Sequence, residues 1–288
     1  MIPYRIYISG GGLCGIAHVS ALMELSKHIP LKSVKEWMGV SAGSLLAMCI
    51  CIGYTLDELY ELCINFDFSH IKDYDSVPGC LLHLGIDTGD RLQKLIEACI
   101  HVKGLSSDLS FKQCYELFGL SLKIVATDLN DATYIVFSPV DTPDYKICDA
   151  VRASMSLPYY YQPFICPVTN HFLADGGVIS NYPLSIIPKE DHIRTLSILI
   201  RTSVNKVDDI MNLSIDELVT RPLRILLMEK GNLELKLYSL NCIQIQLGNI
   251  NIMDFSLDEN TKQNIMSKGK ESVIDYFKKI KIKRRNSI

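Results

Sequence analysis

A serine, an aspartate and a glycine-rich stretch are the residues of this chain best suited to chemistry. Gly39-Val40-Ser41-Ala42-Gly43 sets the serine between small neighbours, which let the backbone turn sharply enough to present its hydroxyl as a nucleophile. A helix starting there would bring the Ala42 amide and a positive dipole end close to any negative charge developing on an attacked carbonyl. Gly10-Gly11-Gly12-Leu13-Cys14-Gly15 offers amides free of side chains just before another helix, so Gly10, Gly11 and Gly12 are candidates for an oxyanion hole. Ala174-Asp175-Gly176-Gly177 places a carboxylate after the short apolar run His171-Phe172-Leu173, where Asp175 could act as a general base. Taken alone, an Asp-Gly pair is also a favoured turn.

Each signal has a rival reading. The first glycine stretch satisfies G-x-G-x-x-G after a strand, and Glu36 follows at about the ~20 residues expected of a ribose-binding acid, the pattern of a dinucleotide-binding Rossmann protein. Against it, Glu36 precedes Trp37 and Met38 inside a proposed strand that leads directly to Ser41. His192 follows Asp175 in the chain order Ser, Asp, His, so a triad is the nearest mechanistic alternative, although His171 and His192 read more readily as surface or satisfied core residues. Cys14 as a second nucleophile competes with the ordinary reading of a buried thiol.

These residues need a scaffold, and the hydrophobic pattern supplies one. Tyr4 to Ile8 reads as a buried strand, followed by the glycines and a helix from Ile16 to Lys27. The unit repeats at once, with a strand at Val34 to Val40, the serine turn, and a helix from Ser44 to Ile52. Thr55 with Glu58, and Ser110 with Gln113, form capping boxes, and Arg91 to Val102 has helical spacing. Phe66 to Thr88 breaks into an irregular segment suited to a pocket mouth. Leu122 to Ala126 reads as a core strand with Tyr134 to Phe137 as its hairpin partner, and Leu196 to Ile200 and Cys242 to Leu247 are further strands. A long helix closes the chain from about Asp258 to Phe277. No repeat or linker divides it, so residues 1–277 are expected to form one domain and residues 278–288 a basic, flexible tail.

Composition narrows the classes. Hydrophobic residues are 48% and charged residues 21% of the chain, which fits a globular protein. Lys+Arg 29 against Asp+Glu 32 gives a net charge of −3, with no general attraction to nucleic acid. The local exception is Lys278, Lys279, Lys281, Lys283, Arg284 and Arg285, which would either hold the protein peripherally to anionic lipid or simply solvate its end. Leu81 to Leu84 and Leu223 to Leu240 could expose apolar side chains at a lipid interface, against the alternative of core packing. The 10 cysteines contain no C-x-x-C pair and read as buried thiols. With no signal-peptide core ahead of Gly10, they point to a cytoplasmic protein.

Taken in order, the loop Gly10 to Gly15, the elbow Gly39 to Gly43, the segment Asp149-Ala150-Val151-Arg152-Ala153-Ser154-Met155-Ser156-Leu157-Pro158 and Asp175-Gly176-Gly177 resemble the patatin-like phospholipase family. The resemblance runs from about Tyr4 to Pro183, and more faintly from Phe255 to Gly269. It implies a three-layer α/β fold with a central, mostly parallel sheet flanked by helices. It implies that a Ser41–Asp175 dyad hydrolyses acyl esters without metal or cofactor, with Gly10, Gly11, Gly12 and Ala42 at the oxyanion and Gly15, Gly39, Gly43, Gly176 and Gly177 as motif glycines. The implied substrate is a lipid acyl ester, a phospholipid or lysophospholipid. One departure stands out: the family usually carries Arg or Lys where this chain has Cys14. That loss keeps open a catalytically weakened acyl-lipid or protein-binding module on the same scaffold.

Overall fold

A computed structural model describes residues 2–73, 84–182, 186–204, 206–207, 213, 215–237, 241–248, 250 and 257–286. The apolar run at the start forms β1 (Arg5–Ile8), every residue of it buried, and the helix after the glycines is α1 (Ile16–Ser26). The unit is then repeated as β2 (Glu36–Val40) and α2 (Ala42–Cys51). The helices α3 (Leu56–Asn65) and α5 (Phe111–Phe118) begin at Thr55 and Ser110, and both capping boxes are fully formed. Between them lie β3 (Gly85–Asp87) and α4 (Asp90–Val102). Next come β4 (Ser121–Asp128), β5 (Thr133–Phe137), α6 (Ile147–Ser154), β6 (Tyr159–Tyr161), β7 (Phe164–Ile165), β8 (Phe172–Asp175) and the short α7 (Gly177–Ser180). The last elements are β9 (Thr195–Thr202), α8 (Ile215–Leu237), β10 (Cys242–Gly248) and α9 (Glu259–Asn286).

Eight strands form the main sheet in the order β10-β9-β1-β2-β4-β8-β7, with β5 also paired to β4, while β3 and β6 pair apart. From β10 to β4 every pairing is parallel; β5, β8 and β7 pair antiparallel. Consecutive residues of the buried strands face opposite sides, so each face has its own core. Ile6, Ile8, Trp37, Ile124, Ile198 and Ile243 join the larger core under α1, α2 and α9. Tyr7, Met38, Val40, Val125 and Leu199 form a smaller cluster covered by Tyr182, Ile187 and, from α8, Leu235. Helix, sheet and helix are thus the three expected layers. The chain leaves β1 toward β2 on one side and returns as β9 on the other, which opens a crevice at the carboxyl ends of the central strands.

The closing helix is longer than its spacing predicts. Helix α9 does not stop at Phe277 but continues to Asn286 through the lysines. Lysine and arginine are good helix formers, so the basic run extends the helix instead of ending it. Leu81 to His83 lie outside the described residues. The ambiguous stretch from Leu223 belongs to α8.

Candidate active site

The register of β4 brings the serine and the aspartate together. β2 pairs with β4 up to Val40 opposite Val125. β8 runs the other way and ends with Asp175 opposite Ala126. Because β5 occupies the opposite edge of β4, β2 and β8 share one edge and meet end to end. The residue after Val40 is Ser41, which therefore stands beside Asp175 at the carboxyl end of the parallel strands.

Ser41 has φ 53 and ψ −129, a strained backbone that projects the side chain from the turn. Its neighbours hold it there. The Ser41 amide donates to Ser154 Oγ at 2.9 Å, Ser154 Oγ donates to the Val125 carbonyl at 2.6 Å, and Ser44 Oγ donates to the Ser41 carbonyl at 2.6 Å. Gly39 and Gly43 let the turn close: a Cβ on Gly43 would lie 2.5 Å from the Ser9 carbonyl oxygen, and one on Gly39 2.6 Å from Ser44 Cα.

Asp175 is buried, and burial pushes its carboxyl up to about 6, against the opposing influence of the nearby Ser41 hydroxyl and of the hydrogen bond from the Gly177 amide. The Gly177 amide donates to Oδ1 at 2.7 Å, and the backbone of Asp175 is tied to Thr127 Oγ1 and to the Ser156 carbonyl, each at 2.8 Å. Desolvation makes this aspartate a stronger base than one in water, and the neighbouring Ser41 hydroxyl is the group it would deprotonate.

The glycine loop lies against the elbow, with Gly15 facing the Ala42 methyl and Gly176 packed on the Val125 carbonyl. The structure revises one of the expected oxyanion donors. The Gly10 amide already donates to Asn181 Oδ1 at 2.8 Å, so its hydrogen is committed to positioning the loop. No partner for the Gly11, Gly12 or Ala42 amides occurs among the described residues, and all three line the same pocket as Ser41 and Asp175. Asn181 and Ser154 are the two positioning residues that sequence did not reveal. Ser154 lies in a segment quoted for the resemblance and Asn181 only within its overall span, and neither residue type announces a backbone partner far away in the chain.

The pocket encloses about 240 Å³ and is walled mainly by carbon. Leu45, Leu46 and Cys49 of α2, Leu59 and Leu62 of α3, then Phe66, Phe68 and Ile71, extend it from Ser41 into the larger core. No histidine lines it among the described residues. His192 bonds the Ile187 carbonyl at 2.9 Å, in the segment just before the amino end of β9, away from Ser41. His171 Nδ1 lies 2.9 Å from Asp128 Oδ2, a pairing that raises the imidazole pKa. With Asp131 these two residues offer ligand atoms within 4.8 Å of one another, but the ion pair and the turn amides that Asp128 accepts account for the arrangement.

Two alternative chemistries lose their residues. Glu36 is buried in an ion pair with Arg5 and lies 3.3 Å from Lys123, inside β2 and unable to reach a ribose. Cys14 is fully buried and burial pushes its thiol up to about 12, so it is not a thiolate near neutrality.

Comparison with known proteins agrees with this architecture. The model of the patatin-like phospholipase family matches residues 6–187, and the chain belongs to that family. Over 197 residues it is 33% identical to an uncharacterized protein, R571, of Acanthamoeba polyphaga mimivirus, covering 67% of this chain and 64% of that one. It is 26% identical over 186 residues to a probable lipid hydrolase, 463L, of Invertebrate iridescent virus 6, covering 64% of this chain and 63% of the relative. The chain thus spans just under two thirds of the length of these relatives. Among solved structures, VipD from Legionella pneumophila shares the fold with a TM-score of 0.70 at 13% identity, over 96% of this chain and 66% of that one.

Proposed function

We propose that this protein is a serine lipid acyl hydrolase of the phospholipase A or lysophospholipase type. One observation carries the reading: a serine on a strained turn and a buried aspartate of raised pKa line one pocket walled by carbon, beside amides without a partner among the described residues. In this mechanism Asp175 takes the Ser41 proton as Oγ attacks the acyl carbonyl, and the Gly11, Gly12 and Ala42 amides hold the oxyanion. Collapse expels the lipid alcohol, which takes the proton back from Asp175, and leaves an acyl ester on Ser41. Water, deprotonated by Asp175, then attacks that ester, releases the fatty acid and restores the hydroxyl. No step calls on a cofactor. The apolar arm of the pocket suits an acyl chain, and the family membership supports a lipid ester as substrate. Contact with a membrane surface, through the basic end of α9, belongs to the same proposal.

The test is a panel of phospholipids, lysophospholipids, glycerides and short-chain esters, assayed with wild type beside Ser41→Ala, together with a fluorophosphonate probe. Fatty acid release and labelling by wild type alone support the reading. Absence of both with a folded protein leaves the acyl-lipid-binding scaffold instead.

A further inference from the structure

The wall of the Ser41 pocket carries two arginines from elements beyond the matched family segment. Arg201 stands near the end of β9, and Arg224 projects from α8, where Arg224, Leu227, Met228 and Gly231 recur at helical spacing on the pocket-lining stripe. The lining differs by element: α2, α3 and the segment after them contribute apolar side chains, whereas β9 and α8 add two positive charges to apolar residues of their own, among them Ile200 and Leu227. An ester bound at Ser41 would have two ends in chemically different surroundings.

The two arginines differ in how they are satisfied. Arg201 donates from Nη2 to Asn232 Oδ1. Arg224 has no hydrogen-bond or ion-pair partner among the described residues, although it is partly buried. The other shielded arginines among the described residues are engaged. Arg5 pairs with Glu36, and Arg152 donates to the Gly89 and Thr88 carbonyls and to Ser156 Oγ. A half-buried guanidinium on the wall of a substrate pocket, with no counter-charge from the described residues, has its donors available to an anion that arrives with the ligand. Arg224 also lies close enough to Cys14 for its charge to oppose the effect of burial on that thiol. It therefore brings positive charge to the glycine loop at the point where the chain lacks the family's basic side chain.

We propose that Arg224 binds the phosphate of a phosphorylated lipid and makes the pocket select acyl esters carrying a phosphate over neutral glycerides. The assignment rests on the lipid hydrolase reading for its ester, but not for its anion. A guanidinium presents paired N–H donors that match two phosphate oxygens, a geometry that neither lysine nor a neutral side chain reproduces. With the phosphate held on α8 and the acyl chain among α2 and α3, the carbonyl between them is fixed at Ser41.

The experiment separates the anion from the chemistry by measuring binding in the Ser41→Ala background. Calorimetric titration compares 1-octanoyl-lysophosphatidylcholine, 1-octanoylglycerol and inorganic phosphate, all below micelle-forming concentrations, against Arg224, Arg224→Gln and Arg224→Lys proteins of matched melting temperature. The phosphorylated lipid should bind about ten- to a hundredfold more weakly to Arg224→Gln, with Arg224→Lys between, and the glyceride should bind all three alike. Equal losses for both lipids, or none for either, overturn the proposal. Inorganic phosphate binding as tightly as the phosphorylated lipid would also overturn it, since the site would then serve a free anion. Selective binding without hydrolysis by the serine-containing protein would sink the hydrolase reading and leave the Arg224 assignment standing.

Discussion

Replacing Asp175 with asparagine should make the protein more stable at neutral pH while abolishing its activity. The fold raises this carboxyl from its ordinary 3.8 to about 6, mainly by burying it. Because the native state prefers the neutral form, the unfolded chain ionises first as pH rises, and stability falls between about 3.8 and about 6. Below that window the carboxyl is protonated in both states and costs nothing. Above it the penalty is constant, about 3 kcal/mol at about 1.4 kcal/mol for each tenfold change in proton affinity. An amide has the same shape, and its oxygen can still accept from the Gly177 amide. Urea unfolding of wild type and Asp175→Asn at pH 3.5 and pH 7.5 should therefore give a difference near zero at the lower pH, growing to as much as about 3 kcal/mol in favour of the variant at the higher. In wild type, kcat/KM should rise through an apparent pKa of about 6, since only the ionised carboxylate can accept the serine proton. A variant no more stable than wild type at pH 7.5, or one that retains turnover, would refute the assignment of Asp175 as a desolvated base.

Three further substitutions probe the supporting contacts. Ser154→Ala removes the acceptor of the Ser41 amide, and kcat should fall at least about tenfold in a protein whose melting temperature drops by only a few degrees. Asn181→Leu releases the Gly10 amide and with it the glycine loop; kcat should drop about a hundredfold with KM little changed, measured by steady-state hydrolysis. Arg5→Met leaves the buried Glu36 with Lys123 alone and should cost about 3 kcal/mol in denaturant unfolding, most of it recovered by adding Glu36→Gln.

Local signals were legible wherever a residue type and its immediate neighbours decide the conformation. The capping boxes at Thr55 and Ser110 formed as their spacing required, and the serine turn followed from two glycines that only a close backbone approach explains. The strands of the central sheet were visible because burial on both faces makes them continuously apolar. Short strands such as Tyr159–Tyr161 and Phe164–Ile165 were missed because two or three residues carry no period. Helix α8 was ambiguous because its apolar side chains mix with Arg, Glu and Lys and Pro222 interrupts the donor ladder. The state of an individual amide was illegible for another reason. Whether Gly10 is free or held depends on Asn181, and hydrogen bonds between distant segments leave no trace in spacing.

Strand β4 acts as the ruler of the site. It measures β2 along one edge up to Val125 and β8 along the same edge from Ala126, so the meeting of hydroxyl and carboxylate depends on register and not on the long connections between them. Side chains alternate faces along a strand, so sliding β8 by one residue would carry the Asp175 carboxylate to the opposite face of the sheet. Inserting a single alanine between Leu173 and Ala174 should therefore abolish turnover. The same insertion in the turn that joins β4 to β5, after Asn130, leaves both pairings of the shared edge intact and should keep most of the activity. Fatty acid release by the two insertion variants, each checked for cooperative unfolding, decides the matter. An active β8 insertion would mean that the dyad is positioned by its loops and not by the sheet.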